Sequence, residues 1–113
     1  MMTVPQTDGA RTTPSDLRRT RRDLVNYATT LRGADWHVDI RIINISPRGL
    51  MCRCDYDLER GARVTIALPR MRFVDAEVRW AEDGRIGVEF LSHISDADYL
   101  PMLDLLPRKT NGW

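Results

Sequence analysis

Trp36-His37-Val38-Asp39-Ile40-Arg41-Ile42-Ile43-Asn44-Ile45-Ser46-Pro47-Arg48-Gly49 is the stretch on which the reading of the fold turns. Trp36, Val38, Ile40 and Ile42 recur with a period of two, and His37, Asp39 and Arg41 take the alternate positions. Such alternation describes a strand with one apolar face and one wet face. The run then enters Asn44 to Gly49, whose Asn, Ser, Pro and Gly are turn formers.

The same pattern continues in both directions. Upstream, Val25, Tyr27, Thr29 and Leu31 alternate, and Gly33-Ala34-Asp35 breaks the run. Downstream, Leu50 to Cys54 reads as a brief strand closed by the polar stretch Asp55 to Gly61. Val64, Ile66 and Leu68 mark the next strand, stopped by Pro69 and Arg70. Phe73 to Trp80 is long enough to curl, and Glu82-Asp83-Gly84 is a hairpin signal leading into Arg85 to Phe90. Six short strands with tight turns and no helical pattern between them predict an antiparallel barrel or sandwich. Trp36, Trp80 and Phe90 are read as core, Glu89 and Asp39 as surface charges.

At the C-terminal end, Ser95 and Asp98 resemble a capping pair, and Tyr99, Leu103 and Leu106 fall on one helical face. Pro101 disfavours the α conformation at Leu100 and removes a donor. The expectation is therefore a turn near Asp96 and a short helix from about Leu100 to Leu106. Residues 1–16, rich in Thr, Pro, Gly, Asp and Ser, read as a mobile tail, residues 17–107 as one domain and 108–113 as a second tail.

Composition narrows the function classes. Of 113 residues, 42% are hydrophobic and 29% charged, as in an ordinary globular domain. No apolar run approaches the roughly 18 residues that span a bilayer, and Met1 to Asp16 has no apolar core of the kind a signal peptide requires. The expected location is cytoplasmic, with no membrane partner. A net charge of +1 gives no chain-wide attraction for polyanions, yet Arg18, Arg19, Arg21 and Arg22 crowd together. Cys52 and Cys54 share one face of a strand, a poor geometry for a mutual disulfide. His37 and His93 lie too far off to complete a zinc site with them, so neither metal nor cofactor is expected. There is no Ser-His-acid set and no Gly-x-x-x-x-Gly-Lys, which argues against an enzyme.

Two motifs remain. Arg18 and Arg22 form Arg-x-x-x-Arg, and 22 residues after Arg22 comes Asn44-Ile45-Ser46-Pro47-Arg48-Gly49, which fits Asn-x-Ser-x-x-Gly at a strand end. In this order and strand context the pair resembles the signature of the PilZ family. Val78-Arg79-Trp80 and Gly87-Val88-Glu89-Phe90 look like that family's last strands, so the resemblance covers about residues 18–106. It implies a six-stranded antiparallel PilZ-like β-barrel with a short C-terminal helix and a flexible N-terminal arm. It also implies a receptor for the bacterial second messenger cyclic di-GMP, bound as a ligand, that signals to a downstream protein, and the arginine-rich arm from about Asp16 to Asp23 is expected to be mobile without ligand and ordered with it.

The chemistry suits that ligand. A guanidinium bonds bidentately to phosphate or to the O6 and N7 edge of guanine, and it stacks on flat bases. By resemblance Arg18 and Arg22 close over the ligand, Asn44 accepts from guanine N1 and N2, Ser46 donates to a phosphate and Gly49 lets the backbone turn tightly. Arg19, Arg21 and Arg48 are further candidate contacts. Many PilZ sequences carry Asp where this chain has Asn44, and the weaker acceptor costs on the order of 1 kcal/mol in binding. The rival readings are a solvated charge run at Arg18 to Arg22, a plain structural turn at Asn44 to Gly49, and an adaptor that binds protein but no nucleotide. A nucleic-acid binder lacks grouped aromatics for base stacking, so DNA and RNA are disfavoured.

Overall fold

A computed structural model describes residues 22–108. Strands β1 (Asp23–Arg32), β2 (His37–Ser46), β3 (Gly49–Arg53), β4 (Arg63–Leu68), β5 (Arg72–Glu82) and β6 (Arg85–Phe90) precede a helix, α1 (Asp96–Leu103). The strands close a barrel in the order β1-β2-β3-β6-β5-β4, every neighbour antiparallel. This is the six-stranded antiparallel barrel with a C-terminal helix that the patterning and the resemblance imply. Closure is made where Leu31 and Arg32 of β1 pair with Ile66 and Thr65 of β4. Asp83 and Gly84 both have positive φ, as a tight hairpin requires of its two central residues.

The interior is filled from all six strands. Leu31, Ile42, Ile45, Leu50, Ile66 and Val78 are fully buried, with Phe90 beside them. Cys52 and Cys54 are free thiols in this core. Burial, together with Cys54 nearby, pushes the Cys52 thiol up to about 12, and burial also raises Cys54. Both are packing groups, protonated at neutral pH.

The helix corrects the expectation at its start. It begins at Asp96, with Pro101 inside it. Ser95 is the N-cap: its hydroxyl accepts from the Asp98 amide, and Asp96 and Asp98 sit in the first turn, where the helix dipole favours negative charge. A proline in a helix interior costs on the order of 3 kcal/mol. Burial of Tyr99, Met102 and Leu103 against the barrel, at roughly 1.5–3 kcal/mol for each large apolar side chain, outweighs it. Leu106, expected within the helix, lies in the turn that follows and is also buried.

Three register shifts interrupt the ladders, between Leu24 and Tyr27, Ile42 and Asn44, and Val78 and Trp80. Each adds one residue to its strand, and a bulge of this kind changes which face the following side chains occupy. At the first, the freed Asn26 amide donates to Pro107 O at 2.8 Å, and Val25 bridges to Arg108. The chain after α1 is thereby stitched to the start of β1.

Candidate functional site

The second and third bulges build the site. Counting by twos from the buried Ile40 and Ile42 would send Asn44 inward, but the extra residue at Ile43 turns the strand. Ile45 is buried instead, and Asn44 is only partly covered. In β5 the extra residue is Arg79. Val78 points into the core, and both Arg79 and Trp80 point out. Trp80, expected in the core, is 41% exposed, and its indole lies over its cross-strand partner Gly87. A Cβ at Gly87 would stand 2.1 Å from Trp80 Nε1, so the glycine makes room for the ring. Phe90 keeps its expected place in the core, and Trp36 is half-buried, stacked on Tyr56 at 4.4 Å between ring centres.

Between these features lies a groove of about 420 Å³ lined by Arg22, Ser46, Arg48, Gly49, Arg79, Trp80, Gly87, Val88 and Glu89. Arg22 immediately precedes β1, and its Nη1 donates to Asn44 Oδ1 at 3.0 Å. The two motifs, 22 residues apart in the chain, thus meet at the edge of one groove. Arg18, Arg19 and Arg21 lie outside the described residues. The arm expected to run to Asp23 ends sooner on the described side: Asp23 is already the first residue of β1, is buried, and accepts a hydrogen bond from Tyr99 Oη at 2.6 Å. Tyr99 Oη also lies 3.1 Å from Ile45 O, which ties α1 to the strand ends beside the groove.

The turn residues have local duties of their own. Ser46 Oγ accepts from the Arg48 amide at 3.2 Å and lies 3.4 Å from Gly49 O, to which it donates. The hydroxyl is buried and staples the turn. At Gly49 a Cβ would meet Val88 O at 2.1 Å. Its smallness serves the close approach of β3 to β6, where sequence reasoning had assigned it to a tight turn.

Charge is distributed unevenly around the groove. Arg79 stands between two carboxylates, 3.6 Å from Glu77 and 3.6 Å from Glu89, and His93 lies 3.3 Å from Glu89. All four side chains are at least partly exposed, so these pairs orient Arg79 more than they stabilise the fold. Arg22 and Arg48 are exposed and pair with no carboxylate among the described residues. Three guanidiniums and an indole on one groove are suited to phosphate oxygens and the flat face of a purine. Arg79, Trp80 and Glu89 were absent from the motif-based set. The signal that finds them is the strand register, which the sequence pattern does not carry. No group of three or more His, Cys, Asp or Glu side chains among the described residues could hold a metal ion.

The family model described as the PilZ domain matches residues 16–106. The chain belongs to the PilZ family. PilZ domains serve generally as cyclic di-GMP receptors or adaptors, and the family is one of receptor domains rather than of enzymes. The nucleotide is a ligand of these domains, not a cofactor. No curated protein matches the chain. Among the described residues, no helix of this PilZ domain is long and apolar enough to cross a membrane.

Proposed function

We propose that this PilZ domain is a cyclic di-GMP receptor that passes the signal to a protein partner without chemistry at the site. The observation that carries the reading is the meeting of Arg22 with Asn44, 3.0 Å apart, at a groove that also holds Arg48, Arg79 and Trp80. Arg18 and Arg22 close over the ligand from the N-terminal side, and Asn44 reads a guanine edge. Trp80 and Arg79 supply a stacking surface and a cation on the opposite wall. Ser46 staples the turn and Gly49 lets β3 lie close against β6, which together shape the floor, and Ser46 turns its proton to a phosphate only by releasing Gly49 O. Arg19, Arg21 and Arg48 add to the field that draws the phosphates in.

The ligand must displace the Arg22–Asn44 hydrogen bond or build on it, and either outcome fixes the segment from about Asp16 to Arg22 across the groove. A partner then meets a face whose shape and charge have changed. Amide hydrogen exchange of that segment with and without cyclic di-GMP tests this step, and equal protection in both states leaves charge neutralisation alone as the signal. Asn44 in place of a carboxylate, a weaker acceptor for guanine donors, favours the second reading, an adaptor that binds protein and no nucleotide. Calorimetric titration with cyclic di-GMP, with GTP and single-stranded DNA as controls, separates the readings. The receptor binds the cyclic dinucleotide selectively, and a flat trace at high micromolar ligand leaves the adaptor.

A further inference from the structure

The outer face of β2, β3 and β6 carries a row of arginines that the groove does not use. Arg41 pairs with Arg53 across β2 and β3, and Arg53 pairs with Arg85 across β3 and β6. All three are exposed, on strands whose intervening residues Ile40, Ile42, Cys52 and Ile86 are buried, so the guanidiniums project from one face. Residues directly opposite in antiparallel strands stand about 4.5–5.5 Å apart, and like charges placed so are destabilising. Arg41 donates to the neutral Asn26 Oδ1. Among the described residues none of the three arginines has a carboxylate within ion-pair distance. The sheet thus holds three adjacent positive charges in a row that ends at Glu82 of β5, opposite Arg85 and outside ion-pair distance of it.

We propose that this row docks an acidic segment of a protein partner. Beside it is a shallow depression of about 680 Å³ lined by residues that include Thr29, Thr30, Asp39, Arg41, Arg53 and Asp55. It offers hydroxyls and carboxylates next to the cations. Asp39 lies two residues from Arg41 on β2, about 7 Å along the sheet at the usual rise of a strand, and Asp55 lies two residues past Arg53, the last residue of β3. A nucleic-acid backbone, with a phosphate at every step, would run onto those carboxylates. A polypeptide can place its Asp or Glu side chains on the arginine row and turn amide or ammonium donors to the aspartates. The row is a single rung wide, which fits one extended segment better than a broad anionic surface. It lies two rungs from the row of Asn44, Met51, Gly87 and Trp80, with the buried Ile42, Cys52 and Ile86 between, so a partner held there borders the groove without entering it.

The test uses the full chain and a fluorescein-labelled acidic peptide of sequence Glu-Glu-Glu-Lys-Glu-Glu-Glu-Lys, whose lysines supply the ammonium donors, followed by anisotropy at low salt. The peptide binds saturably and is released as salt rises. The combined variant Arg41→Glu, Arg53→Glu, Arg85→Glu loses at least about tenfold in affinity, the scale of one charge-assisted contact. The equally charge-altered Arg60→Glu, Arg70→Glu, Arg72→Glu stays within about threefold of the parent. Absence of binding, or equal loss in both variants, overturns the proposal. So does a labelled oligothymidylate that binds through the row more tightly than this peptide, because it makes the site one for nucleic acid. Should the triple variant not fold, Arg53→Thr carries the same test, since relief of repulsion raises its melting temperature by about 2 °C at low salt while peptide affinity falls. An Arg53→Thr protein that melts below the parent at every salt concentration removes the premise.

Discussion

The inside of the barrel and the groove on its outer face are made from the same strands under different rules. Inside, a period of two is enough: Ile40, Ile42, Cys52, Val64, Ile66 and Val78 all sit where simple alternation puts them. At the groove, alternation fails twice, at Ile43 and at Arg79, and each failure brings a site residue outward. Regular pairing makes a stable barrel with two equivalent wet and dry faces. Bulges make one part of the wet face different from the rest, at little cost to the core beneath.

If this division is right, truncations inside should damage stability far more than truncations at the groove. Leu50→Ala, at a fully buried position, is expected to cost about 2–5 kcal/mol by chemical denaturation. Gly49→Ala belongs to the same class although it lies in the motif, because the clash is with the Val88 carbonyl of the neighbouring strand. By contrast, Gly87→Ala meets the ring of Trp80, which is partly exposed and able to swing away. Its cost should be about 1 kcal/mol, typical of a single substitution, with a shift in tryptophan emission. Equal losses for Gly49→Ala and Gly87→Ala would erase the distinction between backbone and side-chain constraint.

The junction between the two regions is sharpened by Tyr99→Phe. Tyr99 Oη serves buried Asp23 and reaches Ile45 O. Its removal is expected to cost about 1–3 kcal/mol, the penalty for stranding buried polar groups. A smaller effect comes from the core thiol. Because the folded state holds Cys52 up to about 12 against the ordinary thiol value of 9.0, its contribution is present below pH 9 and is lost as pH rises from 9 towards 12. Stability should fall by about 1 kcal/mol per pH unit across pH 9–11, and Cys52→Val should flatten that slope. Smallest in stability is Arg22→Ala, an exposed position where the expected change is within about 0.5 kcal/mol. Its effect belongs to binding, where losing a bidentate arginine costs about 1–3 kcal/mol. Arg32→Ala, outside the motif, should leave binding unchanged.

How much could be read in advance follows the same division. The strands, their turns and the closing helix were legible because apolar residues at alternating positions and glycine, proline and aspartate at the breaks act locally. The helix start was misplaced because Pro101 has a local cost that only tertiary burial of Tyr99, Met102 and Leu103 offsets. Arg22 and Asn44 were legible as a motif pair, and their contact followed from the register of β1 on β2. Trp80 was misread as core because its outward turn depends on one extra residue, Arg79, opposite β6. A bulge is a property of two strands together, and a single strand's pattern does not contain it.

The most direct test of the account is chemical-shift mapping of the labelled protein with cyclic di-GMP, read at backbone amides and the Trp80 indole. The prediction is that perturbations concentrate at Arg22, Asn44, Arg48, Gly49, Arg79 and Trp80, with the core amides of Ile42, Leu50 and Ile66 nearly still. A spectrum unchanged at saturating ligand, or shifts gathered at the hairpin between β4 and β5, would contradict it.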